Sequence, residues 1–282
     1  MSVTWRSAAP LPDVPRAPGH LRRVIWRGGR IVMVIGAGVL VTGALRLVER
    51  PLHGAARPWT QAITVRVCRH VLAVLGITHV VEGTPLRGPG AVVANHVSWL
   101  DIFALNASAR VLFVAKAEVA GWPGIGFLAR LVGTVFISRD PRAARAHAAL
   151  LRDRLAAGQR LMFFPEGTST DGMRVRPFKS TLFEALCAAD EGPRVVPVQP
   201  VTLIWEAPEG ADPRLYGWWG DMEFVPHLIA MLGVPRHGRV RLVFHPPLTP
   251  EASSGHSGGR KALAASAEGR VRAGMPQDRR GV

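Results

Sequence analysis

Between Thr78 and His245 the chain alternates short apolar, β-branched runs with longer helical patterns, and few architectures accept that alternation. The strand-like runs are 78–82, 91–95, 111–115, 134–138, 160–164, 195–202 and 240–245, and the helical patterns are 99–109, 123–131, 141–157 and 179–189. Strands with apolar cores, with helices between most of them, need cover on both faces. The predicted class is therefore α/β, with a twisted, mostly parallel central sheet flanked by helices.

Upstream of this region the character differs. Residues 1–20 hold Pro10, Pro12, Pro15 and Pro18 with few large apolar side chains and read as a disordered arm. Residues 21–76 read as a helical membrane anchor. Arg22, Arg23, Arg27 and Arg30 precede an uncharged run over 31–45, closed by Arg46 and Arg50; Ile63, Val67, Cys68, Val71, Leu72 and Leu75 then recur at helical spacing. The uncharged run is shorter than the roughly 20 residues of a spanning helix. A pair that dips into a bilayer, with its arginines at anionic headgroups, is expected; the competing reading is a core hairpin packed on the domain. An α/β domain over 77–250 and a weakly ordered Ser/Gly/Ala/Arg tail over 251–282 complete the organisation.

Composition narrows the function classes. A chain of 282 residues with 48% hydrophobic and 20% charged residues can bury a large core. Lys+Arg 35 against Asp+Glu 20 gives a formal charge of +15, a field that favours an anionic partner. The basic residues are nearly all scattered arginines and carry no nucleic-acid recognition motif, so nucleic acid is not expected as a partner. Cys68 and Cys187 have no near partner in sequence and point to a reducing compartment.

Two motifs carry chemistry. Asn95-His96-Val97-Ser98-Trp99-Leu100-Asp101 directly follows the run 91–94. A histidine at the carboxyl end of a strand stands where open α/β sheets bind ligands, and an aspartate five residues on can reach back to orient the imidazole. His96 is thus a candidate general base for a substrate hydroxyl. A capping box formed by Ser98 and Asp101 is the structural alternative. The second motif, Phe163-Phe164-Pro165-Glu166-Gly167-Thr168-Ser169, again runs from a strand end into a glycine turn.

With Gly133-Thr134-Val135-Phe136-Ile137-Ser138-Arg139 between them and Val195-Val196-Pro197-Val198 downstream, the blocks resemble the glycerolipid acyltransferase superfamily. Bacterial 1-acyl-sn-glycerol-3-phosphate acyltransferases and related lysophospholipid acyltransferases are the nearest likeness. The resemblance implies acyl-CoA or acyl-carrier protein as donor, with no further cofactor, and a lysolipid hydroxyl as acceptor. It implies His96 as base and Asp101 as its orienting partner. Arg139, Glu166, Gly167, Thr168 and Lys179 are expected to contact the acceptor; the alternatives are a surface strand-end arginine for Arg139 and a structural carboxylate bonding turn amides for Glu166. The expected acceptor is 1-acyl-sn-glycerol-3-phosphate, giving phosphatidic acid, on the cytoplasmic face of a bacterial inner membrane as a monotopic or single-pass protein. One position departs: phosphatidate-forming members commonly carry arginine after Glu-Gly-Thr, and this chain has Ser169. Lyso-ornithine lipid is therefore the alternative acceptor, and Arg174, Arg176 or Lys179 the alternative source of charge. A non-catalytic lipid-binding protein is the alternative of another class. Tyr216, Trp218, Trp219 and Phe224 read as core or as bilayer-interface anchors, and His227 and His245 lack metal-ligand spacing, so no metal is expected.

Overall fold

The computed structural model describes the chain except residues 1–4, 8–9, 13, 15–16, 55, 139, 188–195, 250–255 and 281–282. Two helices come first, α1 (His20–His53) and α2 (Thr60–Leu75), followed by β1 (Thr78–Gly83), β2 (Gly90–Ala94), α3 (Leu100–Ser108), β3 (Leu112–Lys116), α4 (Ile125–Val132), β4 (Val135–Ile137), α5 (Ala144–Ala156), β5 (Arg160–Phe163), α6 (Glu184–Cys187), β6 (Val198–Glu206), α7 (Phe224–Gly233), β7 (Arg239–Phe244) and α8 (His256–Gly274). The seven strands form one sheet in the order β1-β7-β6-β2-β5-β3-β4. Every pairing is parallel except β6 with β7. The α/β class and all seven strand locations follow the sequence reading.

Burial on both faces explains why those strands read as apolar runs. Along β2, Val92 and Ala94 face one core, shared with α2, α3 and α7, while Ala91 and Val93 face another, shared with α5 and α8. Central strands of a parallel sheet are covered on each side, so alternation disappears.

The helical pair is real, and its first member is longer than the uncharged run. α1 continues through the arginines at both ends to 34 residues. It is long and apolar enough to cross a membrane. Leu21, Ile25, Val32, Met33, Leu40 and Leu47 are each about two-thirds exposed or more, an apolar face with no protein partner among the described residues. On the opposite side α1 packs against α2, and Gly38 allows the approach: a Cβ there would stand 2.5 Å from a methyl of Val67. The buried Glu49 carboxylate accepts the Trp59 and Thr60 amides at 2.7 and 3.0 Å, capping α2 from the neighbouring helix.

Three expectations need correction. Arg23 and Arg27, expected at lipid headgroups, instead donate to the Gly233 and Leu232 carbonyls at 2.7 and 3.0 Å, where the C-terminal end of α7 leaves acceptors unpaired. The tail is not weakly ordered over its described part: α8 buries Leu263, Ala264, Ala267 and Val271 on the sheet. A buried Leu or Val is worth about 1.5–3 kcal/mol over an exposed one, which holds the helix down in spite of its Gly and Ser content. The described residues of the N-terminal arm also have partners. Trp5 donates its amide to Thr168 Oγ1 at 3.3 Å, and Arg6 pairs with Asp221 at 2.8 Å.

Candidate active site

β2 and β5 lie side by side, with Val93 opposite Phe163, so the segments leaving their carboxyl ends are neighbours. This adjacency brings two motifs separated by some 70 residues into one site at the carboxyl edge of the sheet. Asn95 extends the β2 edge. Its buried side-chain amide donates to the Leu203 carbonyl at 2.9 Å and accepts the Leu203 amide at 2.8 Å, pinning the chain to β6 just before His96.

The His96 Nδ1 donates to Asp101 Oδ2 at 2.8 Å. The same oxygen accepts the Val97 amide at 2.7 Å and the Ser98 amide at 3.0 Å, while Oδ1 accepts the Trp205 indole N–H at 2.7 Å. Asp101 is fully buried in the first turn of α3, and four donors fix both of its oxygens. Capping and orientation therefore coexist: the aspartate holds the start of α3 and the imidazole together. The imidazole face stacks on Phe164, with centroids 3.9 Å apart and planes 11° from parallel. The ring keeps about 19% of its surface exposed. A neutral imidazole that donates through Nδ1 presents an unprotonated Nε2, the atom able to take a proton from a hydroxyl.

Of the two readings of Glu166, an acceptor contact and a structural carboxylate bonding turn amides, the geometry of its side chain matches the second. The residue is 2% exposed. Its carboxylate accepts the His96 amide at 2.8 Å and the Arg176 amide at 3.2 Å, so it clasps the two loops together from beneath. Burial, reinforced by the nearby Asp101 charge, pushes its carboxyl up to about 8 against the pull of the two amides. A folded value above the unfolded one means that folded Glu166 keeps a proton that the unfolded chain has released. Stability must then fall as pH rises towards 8. Between pH 6.5 and 8, above the range in which His227 and His237, pushed down to about 4 by burial, titrate, the thermal midpoint should drop. Glu166→Gln should flatten that slope; an equal slope in the variant, read by calorimetry, would assign the pH dependence elsewhere.

Gly167 turns the chain at φ 70, a conformation that favours glycine. Lys179 lies over it, its Nζ 2.7 Å from the point a Cβ would occupy. Gly167, Thr168 and Lys179 thus gather beside His96 and Glu166, although Thr168 Oγ1 already accepts the Trp5 amide. Arg139 lies outside the described residues; the strand before it, β4, forms the edge of the sheet, and β5 and β3 separate it from β2. Arg174 is held by Asp171 at 3.1 Å. Sequence reasoning missed Phe164 and Trp205. Phe164 stood unread inside its motif, and nothing in the spacing of Trp205 ties it to Asp101.

Among the described residues no group of three His, Cys, Asp or Glu side chains is placed to hold a metal. The site offers a carboxylate-held imidazole beside a glycine turn with an exposed ammonium.

The acyltransferase family model matches residues 76–204, which contain both motifs. The chain is 54% identical over 273 residues to a lyso-ornithine lipid O-acyltransferase of Rhodobacter capsulatus, covering 97% of each chain. It is 37% identical over 152 residues to a 1-acyl-sn-glycerol-3-phosphate acyltransferase of Neisseria meningitidis, covering 53% of this chain and 59% of the relative. The crystal structure of the 1-acyl-sn-glycerophosphate acyltransferase from Thermotoga maritima superposes with a TM-score of 0.62 at 24% identity, covering 92% of this chain and 97% of that one. The chain belongs to the glycerolipid acyltransferase superfamily. Within it, the chain is a lysolipid O-acyltransferase, an enzyme of lipid synthesis.

Proposed function

We propose that the acceptor is lyso-ornithine lipid, acylated on its free hydroxyl. The observation that carries this is the 54% identity, sustained over 97% of both chains, to a relative of that activity. Ser169 supports it, because a serine whose hydroxyl is spent on the Trp218 carbonyl supplies no charge for a phosphate. Ornithine brings an ammonium and a carboxylate where glycerol phosphate brings a dianion. 1-Acyl-sn-glycerol-3-phosphate is the second reading, favoured by the Neisseria relative and by the Lys179 ammonium over Gly167.

In the reaction, His96 Nε2 removes the acceptor hydroxyl proton as the oxygen attacks the thioester carbonyl of acyl-CoA or acyl-carrier protein. The carbon–sulfur bond then breaks, and the thiolate takes the proton back from His96. Asp101 holds the ring in one tautomer and balances the imidazolium. Glu166 sets the loop from below, and Gly167, Thr168 and Lys179 border the acceptor. The chemistry needs neither metal nor cofactor, and no acyl-enzyme intermediate. The exposed apolar face of α1 supports a site of action at the cytoplasmic face of the inner membrane, where a lipid acceptor and a soluble donor can meet.

The test offers lyso-ornithine lipid and 1-acyl-sn-glycerol-3-phosphate side by side to the purified enzyme, with acyl-CoA and acyl-carrier protein as donors in turn. A kcat/KM at least tenfold higher for lyso-ornithine lipid is expected. Equal or reversed preference would transfer the assignment to the phosphate acceptor.

A further inference from the structure

A cleft of about 390 Å³ opens beside the His96 loop, lined by Trp122, Ser169, Trp218, Trp219, Met222, Glu223 and Phe224. Its link to the site is direct. Trp218 donates its amide to the Val97 carbonyl at 2.9 Å, the Thr170 amide donates to the His96 carbonyl at 3.0 Å, and Phe224 meets Trp99 edge-on with centroids 5.4 Å apart.

Three rings form walls at near right angles. Trp122 meets Trp218 at 88° and 6.3 Å, and Trp218 meets Phe224 at 80° and 6.4 Å. The Trp218 indole N–H is spent on the Met222 carbonyl at 2.9 Å, which fixes that wall. Glu223 is exposed at the rim, and no described residue pairs with its carboxylate. Among the described residues no lysine or arginine lines this cleft, although the chain carries a formal charge of +15. Aromatic faces present negative quadrupoles, and a free carboxylate adds a full negative charge, so the cleft attracts a cation and repels a phosphate.

We propose that this cleft receives the primary ammonium of the acceptor's head group and so sets head-group choice. The proposal rests on the lyso-ornithine reading and deepens it. Ser169 then gains a role: as a small neutral residue in the wall, it leaves the space and charge that an arginine there would take. Trp122 and Glu223 are the specificity-determining pair, the one stacking over the ammonium and the other pairing with it.

The experiment compares kcat/KM of the full-length enzyme for lyso-ornithine lipid and for the analogue built on norvaline, which lacks only the side-chain amine. The wild type should prefer the ornithine compound about tenfold, in the range a partly desolvated cation on an aromatic face provides. Glu223→Gln and Trp122→Leu should each bring the ratio towards one. Both residues are exposed, and a ratio of two acceptors does not depend on the fraction of enzyme that folds. An unchanged ratio in both variants, or no preference in the wild type while it acylates both compounds, overturns the cleft assignment and leaves the acceptor reading standing. Failure of the wild type to acylate either compound overturns the acceptor reading and the cleft with it.

Discussion

His96→Ala is expected to lower acyl transfer by about 10²–10⁴-fold without unfolding the protein, the usual range for loss of a general base. The main-chain partners at this position, the Glu166 carboxylate and Thr170, bind the backbone and remain in place. What disappears is the ring stacked on Phe164, partly exposed and of modest packing value. Steady-state kinetics with calorimetry check both halves of this expectation. Turnover at the wild-type level in a folded His96→Ala protein would remove His96 from the chemistry.

Asp101→Asn should be as damaging to rate and worse for stability. The aspartate oxygens accept from His96, Val97, Ser98 and Trp205, and an amide has one acceptor oxygen and one NH₂ group. If the oxygen faces the first three donors, the NH₂ opposes the Trp205 indole N–H; if the amide flips, three donors lose their acceptor. Each buried donor left unpaired costs about 1–3 kcal/mol. The wrong tautomer of the base costs about 10⁴ in the analogous hydrolase triad. A lowered melting temperature and a rate loss of about 10³–10⁴ are therefore expected together. Near-normal kinetics in Asp101→Asn would mean that orientation of the imidazole does not depend on this carboxylate.

These effects meet at a site only partly legible in the sequence. His96 and Asp101 are five residues apart, a strand end and the first turn of the next helix, so local geometry brings them together and the motif exposes the pair. The seven strands were legible for a similar reason: two-sided burial imposes apolar runs that no loop would carry. α8 was not legible, because its Gly, Ser and Ala content resembles that of a loose tail. Its helix depends on Leu263, Ala267 and Val271 finding the sheet, a contact that no local pattern encodes.

The linear chain, then, determined the α/β class, the helical pair and the His96 to Asp101 unit, since each depends on periodicity or on spacing within a few residues. Only the tertiary structure decided that Glu166 faces inward to clasp the His96 and Arg176 amides, that Trp205 completes the Asp101 shell, and that Arg23 and Arg27 serve the end of α7. It also decided that Trp122, Ser169, Trp218 and Glu223 share one cleft. These are contacts between residues far apart in the chain, made where parallel strands set distant loops side by side. The direction of a buried carboxylate or guanidinium follows from which unpaired amide or carbonyl the fold places within reach, and that is a property of the packed sheet and helices.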